Sequence, residues 1–195
     1  MSAPSAEGGE AASPRIGALR GIGRAMLSVP GVIAWTLPVA WAAGIFFLSS
    51  QSRLGGEAAW WELGGFTANL AHPFVFGLLA LLLVAAAPRR GAARSRWTAV
   101  GPVGALWIGV LVVLYGTTDE LHQSLVEGRD ASLLDLLADA VGAFSVLVVI
   151  VYLGRADAND RGLVVRLAIG ALASVVAAVL STLWGWTVGR GPWPF

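Results

Sequence analysis

The chain is 195 residues long, 56% hydrophobic and only 13% charged, with a mean hydropathy of +0.73. Soluble domains carry about 25% charged residues, so the composition excludes an ordinary soluble domain and points to a membrane. The net charge of +1 gives no sign of nucleic-acid binding, since the arginines are dispersed and not gathered in one stripe, and the lack of cysteine excludes thiolate metal sites, thiol catalysis and disulfides.

Residues 1–30 are polar and hold scattered Gly, Ser and Pro; they read as a cytoplasmic segment that is disordered up to about Pro14. Five apolar runs follow: Gly31–Ser49, Thr67–Ala87, Pro102–Gln123, Ser132–Leu153 and Leu163–Val188. Each is about the 20 residues that a helix needs to span a bilayer. No small-residue cleavage site ends the first run, so it reads as a retained helix and not as a signal peptide. The expected fold is an all-α polytopic transmembrane bundle of about five helices. Residues 31–153 would form a four-helix core, and residues 154–195 a loop, a fifth membrane helix and an outer tail.

All thirteen basic residues are arginine, and their placement predicts orientation. Arg15, Arg20, Arg24, Arg89, Arg90, Arg94, Arg96, Arg155, Arg161 and Arg166 fall on one side, and Arg53, Arg129 and Arg190 on the other. The N-terminus is therefore expected in the cytoplasm and the C-terminus outside. Trp60, Trp61, Trp184, Trp186 and Trp193 would then lie near the outer boundary as an aromatic belt.

The third apolar run ends, and the fourth begins, in DELHQSLVEGRDASLLDLLAD, Asp119–Asp139, which holds six of the twelve acids. The strongly apolar stretches Pro102–Tyr115 and Ala140–Leu153 would each rise only about 21 Å as helix. A hydrocarbon core is about 30 Å thick, so Asp119, Glu120, His122, Asp135 and Asp139 are expected in the outer part of the membrane. The short connection Leu125–Ala131 makes the two helices antiparallel neighbours. Ser132 with Asp135 reads as a variant capping box.

Helical spacing places Asp119, His122 and Gln123 on one face, turns Glu120 about 100° away, and pairs Asp135 with Asp139. Asn69 and His72 share a face near the outer end of the second apolar run, and Ser49, Ser50, Gln51 and Ser52 end the first. Polar ends of four helices thus converge at one depth, and charged groups in hydrocarbon default to functional hypotheses.

The segments LSSQS (Leu48–Ser52), NLAHPFVFGLLALLL (Asn69–Leu83) and DELHQSLVEGRDASLLDLLADAVGA (Asp119–Ala143) resemble the VanZ-like membrane protein family. The resemblance covers about half the chain and leaves the fifth helix outside. It implies a small multi-helix bacterial membrane protein, linked through the founding member to teicoplanin resistance, and no defined reaction. Its pattern points to His72, Asp119, Glu120, His122, Gln123, Gly128, Arg129, Asp135 and Gly142. Phe76 stands where a tyrosine is expected, Asp139 where an asparagine is frequent, and Pro73 directly after His72 is unusual.

Two readings of the cluster stand side by side. Asp119-x-x-His122 has a carboxylate–histidine spacing that helix bundles use for metal ligands. Together with His72 and Glu120 it would form an acid–base or ligand set, with a divalent cation as a candidate cofactor. Asn69, Gln123, Asp135 and Asp139 would support it, and Arg129 would clamp an anion or order its loop. The expected setting is a polar pocket open to the outer leaflet between helices two, three and four. Its expected partners are membrane lipids, a lipid-linked cell-wall intermediate or a lipoglycopeptide, and no nucleic acid. Alternatively the pocket binds without chemistry, or the cluster only joins helices.

Overall fold

The computed structural model describes residues 13–51, 61–87, 100–127, 129 and 131–187. They form six helices: α1 (Pro14–Leu27), α2 (Gly31–Ser49), α3 (Trp61–Ala86), α4 (Pro102–Gln123), α5 (Leu133–Leu153) and α6 (Asp160–Thr187). All but α1 are long and apolar enough to cross a membrane, and no strand occurs among the described residues. The five apolar runs correspond to α2–α6. The second-loop arginines, Arg53, Gly128, Asp130, the C-terminal tail and the side chains of Trp60, Trp61 and Trp186 lie outside the described residues.

Helix α1 is the element without a counterpart in the sequence reading. Its three arginines mask any apolar periodicity, yet its start is well specified: Ser13 caps it by accepting the Ile16 N–H, and Pro14 opens the first turn. It is fastened by its tertiary contacts. Arg20 donates from Nε to the Leu153 carbonyl at 3.0 Å and from Nη2 to the Arg155 carbonyl at 2.6 Å, and Ser13 donates to Asp160. A guanidinium is a good partner for the carbonyls that a helix leaves over at its C-terminus. Ile16, fully buried, completes a small cluster with Tyr152, Leu153, Ala158 and Leu163.

The bundle is organised around α5, which packs against α3, α4 and α6, while α2 lies on α3 and α4. The core is formed by Ile45, Phe76, Leu79, Ala80, Val84, Val112, Ala143, Leu147 and Ile150, among others. Trp41 Nε1 donates to the Val75 carbonyl and the Tyr115 hydroxyl to the Ala42 carbonyl, tying α2 to its neighbours. Large apolar side chains such as Val32, Phe47, Trp107 and Leu172 are exposed around the outside. In water such a surface would be a liability; in hydrocarbon it is the wall that faces lipid.

Small residues set the helix spacing. Gly77 of α3 faces the Gly142 carbonyl of α5, and a Cβ on Gly142 would overlap the backbone of Pro73. Membrane helices approach closely where such residues meet. Pro73 lies inside α3 and cannot donate to the carbonyl one turn earlier. This crossing brings the stretch around His72 against the start of α5.

Candidate functional site

The C-terminal ends of α2, α4 and α6 meet the N-terminal parts of α3 and α5 at one end of the bundle, opposite the end covered by α1. His72 lies six positions past Phe66 and Asp139 six past Leu133, the first residues of their membrane spans. At 1.5 Å per residue Asp139 is about 9 Å past the start of α5, and His72 about 16 Å past the start of α3.

The innermost polar group joins three helices. His72 Nδ1 lies 2.8 Å from Asp139 Oδ1; the Asp139 side chain is 1% exposed and that of His72 19%. Glu120 of α4 is also buried, and its Oε2 accepts the Ser132 N–H at 2.7 Å. One donor atom from each of His72, Glu120 and Asp139 lies within 4.8 Å of the other two. Glu120 Oε1 and Asp139 Oδ2 are buried and have no hydrogen-bond partner among the described residues. Gly116, one turn before Glu120, leaves room for the Asp139 carboxylate, and Phe76 lies parallel to the His72 ring with centroids 6.3 Å apart.

The other predicted residues form two satisfied networks beside this group. Against α2, Asp119 accepts from Ser49 Oγ at 2.7 Å and from Gln123 Nε2 at 2.8 Å. His122 Nε2 lies 2.9 Å from Ser50 Oγ, and its ring stacks on Phe46 with centroids 4.2 Å apart. Arg129 donates to the carbonyls of Ser49 at 3.2 Å and Leu48 at 3.1 Å, closing the C-terminus of α2. Against α6, Asn69 Nδ2 donates to Thr182 Oγ1 at 3.0 Å and Ser181 donates to Asp135.

Three placements differ from what spacing alone suggests. Glu120 joins His72 because it is rotated from Asp119 towards α3 and α5, while Asp119 faces α2. The two histidines therefore belong to separate networks, and the Asp119-x-x-His122 pair is not drawn to a single point. The capping box at α5 is built differently too. Ser132 Oγ accepts the Leu134 N–H, but the Ser132 N–H goes to Glu120 of another helix, and Asp135 is held by Ser181. A neighbouring helix that offers a hydroxyl outcompetes the bent local geometry a capping box would impose on a short aspartate.

Sequence reasoning did not single out Ser181 and Thr182. Their signal is a polar pair interrupting the apolar run of α6 on the face that also buries Gly170, Ser174, Ala177 and Ala178. At the acidic end the Glu120 and Asp139 carboxylates are buried, while His72 is partly exposed. A groove of about 330 Å³, lined by Ala105, Phe144, Leu147, Val151, Tyr152 and Arg166, is at the other end of the bundle, far from this chemistry.

The buried group has two capabilities. A histidine–aspartate pair beside a second carboxylate can hold and pass a proton, and one imidazole with two carboxylates is a possible set of cation ligands. Neither a curated protein nor a solved structure matches the chain. Residues 31–154 do match a family, over α2–α5 and all three of the polar segments that meet at the acidic end. This match takes in more than half of the sequence, and with five membrane-capable helices the chain is a multi-pass membrane protein that belongs to the VanZ/LLP1 family.

Proposed function

We propose that this protein lies in a bacterial cytoplasmic membrane with its N-terminus inside, and that its acidic end binds or modifies the head group of an envelope lipid or a lipid-linked cell-wall intermediate at the outer leaflet. The observation that carries this reading is the pair of buried carboxylate oxygens, Glu120 Oε1 and Asp139 Oδ2, with no partner among the described residues. Desolvating a polar atom without a hydrogen bond costs about 1–3 kcal/mol, more for a charged group. Helix joining alone gives no return for that cost, whereas a site for a ligand or a proton does. His72, at the edge of the group, would meet the head group; Asp139 would orient it, and Glu120 would supply the second carboxylate.

A helix-joining role has its own support in the satisfied contacts Ser49–Asp119–Gln123, Asn69–Thr182 and Ser181–Asp135. We assign joining to those networks and the lipid-facing role to His72, Glu120 and Asp139.

Family membership makes teicoplanin tolerance the natural readout. Expression in a teicoplanin-susceptible bacterium should raise the inhibitory concentration, and Asp139→Asn or Glu120→Gln should abolish the gain at equal protein abundance. Full tolerance in both variants would refute a role for the buried group. Lipid extracts of the same cells, compared by mass spectrometry, separate modification from binding: a head-group change that disappears in the variants identifies chemistry, and tolerance without any change identifies binding alone.

A further inference from the structure

We infer that His72, Glu120 and Asp139 form a binding site for a divalent transition-metal cation, zinc or manganese in preference to magnesium or calcium. The three side chains come from three helices, α3, α4 and α5, and offer one donor atom each within 4.8 Å of one another. Donors on a tetrahedral zinc, at about 2.0–2.2 Å from the ion, are about 3.3–3.6 Å apart. His72 Nδ1 and Asp139 Oδ1 lie 2.8 Å apart in a hydrogen bond, which a cation bound by both residues would replace.

The unpartnered oxygens are the independent observation. Asp139 is 1% exposed and Glu120 7%, and each keeps one oxygen without a hydrogen bond among the described residues. In Glu120 the other oxygen is engaged from outside the set, by the Ser132 N–H. A carboxylate fixed through one oxygen and free at the other is how outer contacts prepare a metal ligand. Charge balance points the same way. Two buried carboxylates face one imidazole, and an excess of negative charge in a low-dielectric interior is strongly unfavourable unless a proton or cation offsets it.

One nitrogen and two oxygens make a donor set of intermediate softness, which favours zinc or manganese over the all-oxygen cations. Three protein ligands leave a coordination position open, as in catalytic rather than structural zinc sites. On the head-group reading above, that position would face the ligand at the His72 edge; the cation site itself rests on the geometry and is tested without lipid.

The full chain, purified in detergent and stripped with a chelator, is dialysed against zinc or manganese and its metal content measured, together with its melting temperature. About one ion per chain and a higher melting temperature are expected, with uptake at least about tenfold weaker in Glu120→Gln and Asp139→Asn. Glu127→Gln, altering an exposed acid in the α4–α5 connection, should bind as the parent does. Glu120→Gln keeps an oxygen for the Ser132 N–H, so it decides the matter if Asp139→Asn does not fold. No stoichiometric uptake, or uptake undiminished in Glu120→Gln, would overturn the site. Either result leaves the head-group reading to the tolerance experiment, so the two can fail separately.

Discussion

The Ser132 N–H donates to Glu120 Oε2 while the Ser181 hydroxyl donates to Asp135, so the two carboxylates nearest the start of α5 each connect it to a different helix. This arrangement is open to a double-mutant cycle in detergent. Asp135→Ala and Ser181→Ala should show a coupling of about 0.6–1.7 kcal/mol, the range for hydrogen bonds between membrane helices. The cycle of Asp135→Ala with Ser132→Ala should show less, although those residues are closer in sequence. The reverse order would restore the local capping box. The reason this could not be read from sequence is specific. Spacing fixes the angle between Asp119 and Glu120 on their own helix, and the Asp119–Gln123 bond follows from it. Which of the two looks towards His72 depends on the rotation of α4 within the bundle, and that is set by contacts at Gly116 and Gly109 with residues of α5.

Among the elements, the five apolar helices were legible because length and hydropathy suffice to define a membrane span. Helix α1 was not, because its stability comes from Arg20 on the α5 carbonyls and Ile16 in a tertiary cluster rather than from its own pattern. The close crossing of α3 and α5 was half-legible: Gly142 was part of the family pattern, but its partner, the Pro73 backbone, was not. Substituting alanine for glycine separates the roles. At Gly44, exposed with nothing within 4 Å of an added Cβ, better helix propensity should raise stability by about 0.5–1 kcal/mol. At Gly109 the Cβ meets the Phe144 ring, a side chain that can yield, so a loss of about 1 kcal/mol is expected. At Gly142 the obstacle is backbone, and the loss should reach about 3 kcal/mol or more while forcing His72 away from Asp139. Melting temperatures should therefore fall in the order Gly44→Ala, parent, Gly109→Ala, Gly142→Ala. A Gly142→Ala protein as stable as the parent would mean that this crossing does not hold the site together.

At the scale of the molecule, helix direction sorts the charges by end. Arg15, Arg20, Arg24, Arg155, Arg161 and Arg166 gather where α1 covers the α5–α6 connection, whereas Asp119, Glu120, Glu127, Asp135 and Asp139 occupy the opposite end with Arg129. The fold thus turns a count of arginines along a chain into a difference between two faces of a slab. By the positive-inside tendency the arginine end should be cytoplasmic and the acidic end outside. The chain has no cysteine, so single substitutions report on this directly. Ser124→Cys lies at an exposed position just after α4, and Ser28→Cys and Ala156→Cys at exposed positions of the arginine end. A membrane-impermeant maleimide applied to intact cells should label the first and spare the other two until the membrane is permeabilised. Labelling in the opposite order would place His72, Glu120 and Asp139 at the inner leaflet. The head group they serve would then have to be sought among cytoplasmic lipid intermediates, and an action on drugs that stay outside the cell would lose its physical basis.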